Sequence, residues 1–290
     1  MKIARFESEG RQGYGLVTTK GVVPSVYLGG DLPADLFELV NSEVLMSAAF
    51  GKELSRLASS AEHRLGLEQL KLLAPLPRPG KVICLGKNYM EHVAESNTEP
   101  PKELIIFMKP STAVTGPFDN VIYPSITSQL DYEGELGVVM GQRCKKASPA
   151  EALGFVLGYL VFNDVSARDL QFGDGQWTRG KGCDTFAPTG PWITTREEVP
   201  NPNALRLKTW INGELRQDST TAAMIKKIEV VVSTLSQGMT LEAGDIIATG
   251  TPAGVGYYWK PKPRLLKPGD RVKVEIEGLG QIENTIVAES

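Results

Sequence analysis

The sequence predicts an α+β fold in which strands predominate, and three observations carry that expectation. From Lys81 onward, short apolar runs recur between turn residues. An Asn212-Gly213 pair separates TWI from ELR as a hairpin turn. Only one later segment, MIKKIEVVVSTLSQG, holds a clear helical period. Many strands with few long helices argue against a doubly wound sheet.

In chain order, Lys2–Phe6 and Tyr14–Thr18 read as strands, and helical patterns follow near Asp35–Val40 and Glu43–Ala58. Three prolines in APLPRPGK (Ala74–Lys81) make an extended linker. Residues 1–72 are therefore expected as a small N-terminal α+β domain and residues 73–290 as the main domain. Within the latter, strands are expected at Val82–Leu85, Ile105–Met108, Tyr132–Met140, Gly158–Asn163, Trp192–Thr194, Leu207–Ile211, Asp245–Thr249, Arg271–Ile276 and Ile282–Val287. In the one amphipathic helix Ile225, Ile228, Val231, Val232 and Leu235 share a face, and Gly238 fits a C′ stop.

Composition narrows the function. A net charge of −3 over 290 residues gives no general electrostatic reason to bind nucleic acid. No stretch of about 20 apolar residues suggests a membrane span, and MKIARFESEG has no signal-peptide core. Cys84, Cys144 and Cys183 are few and widely spaced, as expected of reduced thiols in a cytoplasmic protein. With only His63 and His92, no three-imidazole metal centre is available. Nucleophile-elbow, HExxH, P-loop and dinucleotide fingerprints are missing; GTPAGVG (Gly250–Gly256) lacks the Lys-Ser/Thr of a P-loop and reads by default as a turn-rich loop.

The acidic residues are more informative. If Leu130–Met140 is a strand, Asp131, Glu133 and Glu135 share one face, and Leu130, Tyr132, Leu136 and Val138 the other. The same alternation also describes a half-exposed edge with its charges in water. Asp164, however, ends the apolar run Ala152–Phe162, where a lone carboxylate is costly. Clustered carboxylates call for a divalent cation or a shared proton. His92 and Glu95 stand three residues apart on a short helix that Asn88 is placed to N-cap; they make a general-base pair or an incidental surface pair. The polar SNTEPPKE that follows suits a mobile lid. Lys181, between glycines, reads either as a solvated loop lysine or as a cation for developing negative charge, and Lys109 similarly. Arg168 and Gln171 lie on one helix face, as ligand contacts or as ordinary polar surface. Thr251 is an anion contact or a plain turn threonine.

Six motifs in order resemble the fumarylacetoacetate hydrolase family: G-x-N-Y-x-x-H-x-x-E (Gly86–Glu95), F-x-K-P-S-T (Phe107–Thr112), D-Y-E-x-E-L (Asp131–Leu136), N-D-V-S-A-R-D-x-Q (Asn163–Gln171), K-x-x-D-T-F-x-P-x-G-P (Lys181–Pro191) and G-D-I-I-x-T-G-T-P-x-G-V-G (Gly244–Gly256). The resemblance covers about residues 75–288 and implies a β-roll C-terminal domain with a Mg²⁺ or Mn²⁺ site, Ca²⁺ being a further candidate. It implies Glu133, Glu135 and Asp164 as metal ligands, His92 and Glu95 as a lid dyad that activates water, and Lys181 as the oxyanion or enolate partner. Arg168, Gln171 and Thr251, with Lys109 more weakly, would contact a small 2-oxo acid substrate. Leu85 stands where fumarylacetoacetase proper has a fourth acidic ligand, which favours the three-carboxylate branch, and Lys87 stands where many relatives have Arg.

The function so expected is metal-dependent C–C bond hydrolysis of a 2,4-dioxo, acylpyruvate-like acid. The alternatives are decarboxylation of an oxaloacetate-like 2-oxo diacid or hydroxyheptadienedioate isomerisation and, in a different class, a non-catalytic 2-oxo acid binding module. Three carboxylates and a 2+ ion would leave a site of about −1. A homodimer is expected from the resemblance.

Overall fold

The computed structural model describes residues 1–173 and 175–289. Its spine is a sheet ordered Gly21–Pro24, Arg11–Thr18, Lys2–Ser8, Ala187–Thr195, Val156–Asn163, Gly134–Met140, Ile246–Ala248, Val82–Gly86, Ile105–Lys109. Neighbours along this path are antiparallel except Ile246–Ala248 with Val82–Gly86. A second sheet runs Glu214–Thr220, Arg206–Ile211, Arg271–Ile276, Gly280–Ala288, Val121–Tyr123. Strands predominate over helices, as the sequence predicts. Among the described residues no helix is long and apolar enough to cross a membrane.

The two faces of the central strands explain their composition. Leu136, Val138, Met140 and Val161 pack with Val272, Val274, Ile276 and Ile282 of the second sheet. On the other face Val139, Leu160 and Phe162 pack with Ile3, Leu36, Leu39 and Leu54 of the first 72 residues. Ile3 pairs with Ile193, so the N-terminal strands continue the same sheet. Gly134–Met140 is consequently buried at every position. The alternation of the sequence does mark two faces, but neither meets water, so the half-exposed-edge alternative does not describe this strand.

Local chemistry sets the element ends. Asp35 caps Leu36–Asn41 by accepting from Phe37 N–H. Glu43, in the left-handed region, and Ser47, which caps Ala48–Ser60, divide the helix expected over Glu43–Ala58. Asn212 and Gly213 both have positive φ, 51° and 84°, as a two-residue hairpin turn requires. Ala187–Thr195 starts five residues before the expected Trp192, its first half disguised by Pro188, Gly190 and Pro191.

Asn88 departs from its expected role. Tyr89 occupies the N-cap position of Met90–Glu95, without a side-chain bond. The buried Asn88 amide donates to Thr249 O (2.8 Å) and Lys226 O (3.1 Å), and its oxygen accepts from Lys226 N (2.9 Å). Ile225 N donates to Asn88 O, so the amphipathic helix starts only at Ile228. It runs through Gly238 and stops at the extended Met239, so Gly238 is not a left-handed C′ residue. Asn88→Ala strands two carbonyls and one amide. The expected loss is about 2–4 kcal/mol of unfolding free energy, read as a lower urea midpoint at unchanged slope. A loss below about 1 kcal/mol would show that these groups find other partners.

Candidate active site

Strand register builds the acidic cluster. Gly134 pairs with Asn163 at the end of two central strands, so Glu133 and Asp164 lie side by side just past the ladder. Asp164 N donates to Glu133 O at 2.8 Å. The expected unbroken strand Leu130–Met140 is in fact two. Leu130–Asp131 pairs separately with Ser166–Ala167, and both chains cross between sheets at the same point. The break turns Asp131 away from its expected face: it accepts from Gly256 and Tyr257 N–H and from Arg168. Glu133, Glu135 and Asp164 converge, with ligand oxygens all within 4.8 Å of one another.

Three buried cations face these acids. Lys181, in the helix Trp177–Lys181 and not in a solvated loop, reaches Glu133 Oε2 and Asp164 Oδ2, both at 2.8 Å. Arg168 bridges Asp131 (2.8 Å) and Glu133 (2.7 Å) and donates to Gln171 Oε1. Lys109 approaches Asp164 Oδ1 at 2.6 Å and donates to the carbonyls of Val165, Lys181 and Phe186. Lys109, expected as a weaker substrate contact, is held by these partners and is not part of the cleft lining. Four carboxylates against three cations leave one net negative charge, which a divalent ion converts to one positive. That corrects the −1 counted from three acids alone.

Burial pushes the Glu135 carboxyl well above its ordinary range, and the charges of Asp164 and Glu133 add to this. Burial would raise Glu133 too, but Lys181, Arg168 and His92 overcome it and hold Glu133 below the usual carboxylate range. For Lys181 burial favours the neutral amine; Asp164 and Glu133 reverse this and keep its ammonium charged. Glu135 Oε2 accepts from Gly250 N–H at 2.8 Å, while its buried Oε1 has no hydrogen-bond partner. An orphaned carboxylate oxygen inside a hard-oxygen donor set fits a small divalent cation.

His92 Nδ1 meets Glu95 Oε1 at 2.7 Å, and Glu95 Oε2 accepts from Gly254 N–H at 2.9 Å. One glycine-rich segment thus donates backbone N–H groups to Glu135, Glu95 and Asp131. GTPAGVG, expected as a turn-rich loop, is thus a scaffold for three acids. Its signal was the glycines themselves: a Cβ on Gly254 would lie 2.1 Å from Arg216 O. Gln217 was also missed. From the second sheet it donates to Thr251 Oγ1 and Pro252 O and accepts from Gly134 N. Thr251 Oγ1 in turn donates to Gly134 O. The hydroxyl expected to meet an anion is therefore engaged within the protein.

Of the acids and the dyad, Glu133 and His92 reach a cleft of about 400 Å³, counting its mouth, and Glu135, Asp164 and Glu95 stand behind them. Glu133, His92, Lys181, Arg168, Gln171 and Thr251 all line it. Aromatic side chains form its walls: Phe107, which opens the F-x-K-P-S-T motif, and Phe172, Trp177 and Tyr258, which no local pattern marks.

Two outcomes test this geometry. Mn²⁺ is expected to raise the thermal midpoint of the wild type but not of Glu135→Gln. Because the folded-state Glu135 value is raised, the metal-free protein loses stability as pH climbs through that range. The metal must displace the same proton, so the Mn²⁺ increment is larger at about pH 8 than at about pH 6. An equal shift in the variant removes Glu135 from the donor set. Separately, Lys109→Met leaves three carbonyls without their donor and Asp164 with Lys181 as its remaining cation, and is expected to cost about 3–5 kcal/mol of stability. Near-native stability with weakened substrate binding would restore Lys109 as a substrate contact.

Comparison with known proteins places the whole chain. Residues 81–287 match the family model described as fumarylacetoacetate (FAA) hydrolase, C-terminal. The chain is 41% identical over 264 residues to the oxaloacetate tautomerase YisK of Bacillus subtilis, covering 88% of this chain and 87% of that protein. It is 47% identical over 221 residues to the mitochondrial oxaloacetate tautomerase FAHD2B of Bos taurus, covering 76% and 70%. The solved fumarylacetoacetate hydrolase of Exiguobacterium antarcticum superposes with a TM-score of 0.86 at 39% identity over the whole of both chains. With the family model spanning most of the sequence and relatives this similar, the chain belongs to the fumarylacetoacetate hydrolase family.

Proposed function

We propose that this enzyme interconverts the keto and enol forms of an oxaloacetate-like 2-oxo diacid, using a bound Mg²⁺ or Mn²⁺. The observation that carries the reading is a proton-exchanging pair, His92 and Glu95, on the same cleft as a buried carboxylate cluster and an ammonium. A divalent cation held by Glu133, Glu135 and Asp164 would polarise the 2-oxo group and orient the adjoining carboxylate.

The residues of the chain do the rest. Glu95, fixed by Gly254 N–H, accepts from His92 Nδ1 and so leaves the lone pair on Nε2. His92 Nε2 takes a proton from C3 of the keto form. The C–H electrons become the C2–C3 double bond, and the carbonyl pair moves to the 2-oxygen. Lys181, whose ammonium is fixed by two carboxylates, stabilises the charge on that oxygen. The imidazolium returns its proton there, giving the enol, and the reverse sequence restores the ketone. No water is consumed. The two tautomerase relatives support this reading over the hydrolytic one.

A second reading is C–C hydrolysis of a 2,4-dioxo acid. The same dyad is placed to deprotonate water, and the Exiguobacterium neighbour is named a hydrolase. Hydroxide would add to the distal carbonyl, the C3–C4 bond would break, and the enolate would leave and take up a proton. Following the enol absorbance of oxaloacetate discriminates the readings. His92→Ala is expected to lower kcat by about 10²- to 10⁴-fold while the Mn²⁺ thermal shift persists. Equal rates in chelated and Mn²⁺-loaded protein, or faster cleavage of acylpyruvates than tautomerisation, would reject the tautomerase reading. Turnover of either kind rejects the non-catalytic binding module.

A further inference from the structure

We infer that Lys87 receives the distal carboxylate of the substrate and thereby selects diacids over monoacids; this rests on the 2-oxo diacid reading above. Lys87 lines the same cleft as Glu133, His92 and Lys181. The other charged groups of that lining are committed: Lys181 and Arg168 to carboxylates, Glu133 to both of them. Three polar side chains of the lining are engaged too, His92 by Glu95, Thr251 by Gly134 and Gln217, and Gln171 through its oxygen by Arg168. Among the described residues Lys87 makes no ion pair or side-chain hydrogen bond, so it is the cation of this lining that no carboxylate of the protein already faces.

Its backbone points the same way. Lys87 has φ +55°, the left-handed region where glycine is the ordinary choice. The chain cannot relax around it. On one side Gly86 lies against Trp177, where a Cβ would be 2.4 Å from Cζ3. On the other, Asn88 is stapled to Thr249 and Lys226. A lysine kept in the left-handed region within the lining of a site points to a use for its side chain.

Charge completes the argument. With a divalent ion, the inner cluster carries about one positive charge, which one carboxylate neutralises. The second carboxylate of a diacid would otherwise lie against Phe107, Phe172, Trp177 and Tyr258, where an unpaired charge is costly. Lys87 is the partner that avoids this.

Calorimetry on the Mn²⁺-loaded protein tests it without turnover, comparing 2-oxoglutarate with 2-oxopentanoate, which has a methyl in place of the distal carboxylate. The wild type is expected to prefer 2-oxoglutarate. Lys87→Gln should weaken 2-oxoglutarate by roughly 10- to 100-fold and leave 2-oxopentanoate within about 2-fold, while Lys87→Arg keeps the preference. Lys87→Gly deletes the amine and relieves the backbone, so it should bind 2-oxoglutarate as weakly as the Gln variant at equal or higher thermal midpoint. Equal loss for both ligands, no loss in Lys87→Gln, wild-type binding in Lys87→Gly, or no diacid preference in the wild type overturns the inference. Absence of enol–keto turnover with the binding preference intact overturns only the proposed reaction.

Discussion

The site depends on keeping four carboxylates and three cations in buried contact. Such groups do not hold a fold together cheaply: each loses its hydration, and their mutual attraction roughly offsets that loss only when geometry is good. Here the backbone enforces the geometry. Lys109 is fixed by three carbonyls, one of them that of Lys181 itself. The first lysine therefore positions the second, which bridges Glu133 and Asp164. Arg168 performs the same service between Asp131 and Glu133. The result is a field that is fixed before any ligand arrives, so little reorganisation is left for the reaction itself.

A second constraint joins this field to the proton-exchanging pair. The segment Gly250–Tyr257 donates N–H groups to Glu135, Glu95, Asp131 and again Asp131. Metal-facing acid, dyad acid and arginine-holding acid thus share one stretch of main chain. Gln217 clamps that stretch to the Gly134 strand, and Tyr132 Oη donates to Gly254 O. Glu95 cannot shift without disturbing the segment that also holds Glu135. The spacing between the His92–Glu95 pair and the acidic cluster is therefore set by the main chain more than by side-chain rotamers.

Legibility in the sequence followed the range of the interaction. Arg271–Ile276 and the Asn212-Gly213 hairpin were readable because period and turn chemistry are local. The convergence of Glu133, Glu135 and Asp164 was readable only through ordered motifs, since it depends on the Gly134–Asn163 register. What could not be read was set by partners far along the chain. Asn88 looks like a cap until Lys226 and Thr249 claim its amide. Asp131 looks like a third face-sharing acid until the strand breaks and Gly256 and Tyr257 take it. Lys109 and Lys181 look solvated until two sheets and a helix close over them. Gln217 left no local signal at all, because its three partners lie on other elements.

Charge balance then bears on how one constellation would suit more than one reaction on the proposed 2-oxo acids. Ionised and without a divalent ion, the cluster has a net negative charge that would repel a carboxylate substrate, and burial relieves this by favouring a proton on Glu135. With the ion bound, the balance reverses and an anion is drawn in. The same field lowers the energy of an enolate however it is generated, by loss of a C3 proton or by cleavage of the bond to C4. Discrimination must therefore come from groups beyond the electron sink. On the proposed reading those would be the His92–Glu95 pair, as the group that exchanges protons, and the aromatic lining with Lys87, as the group that meets the substituent on C3.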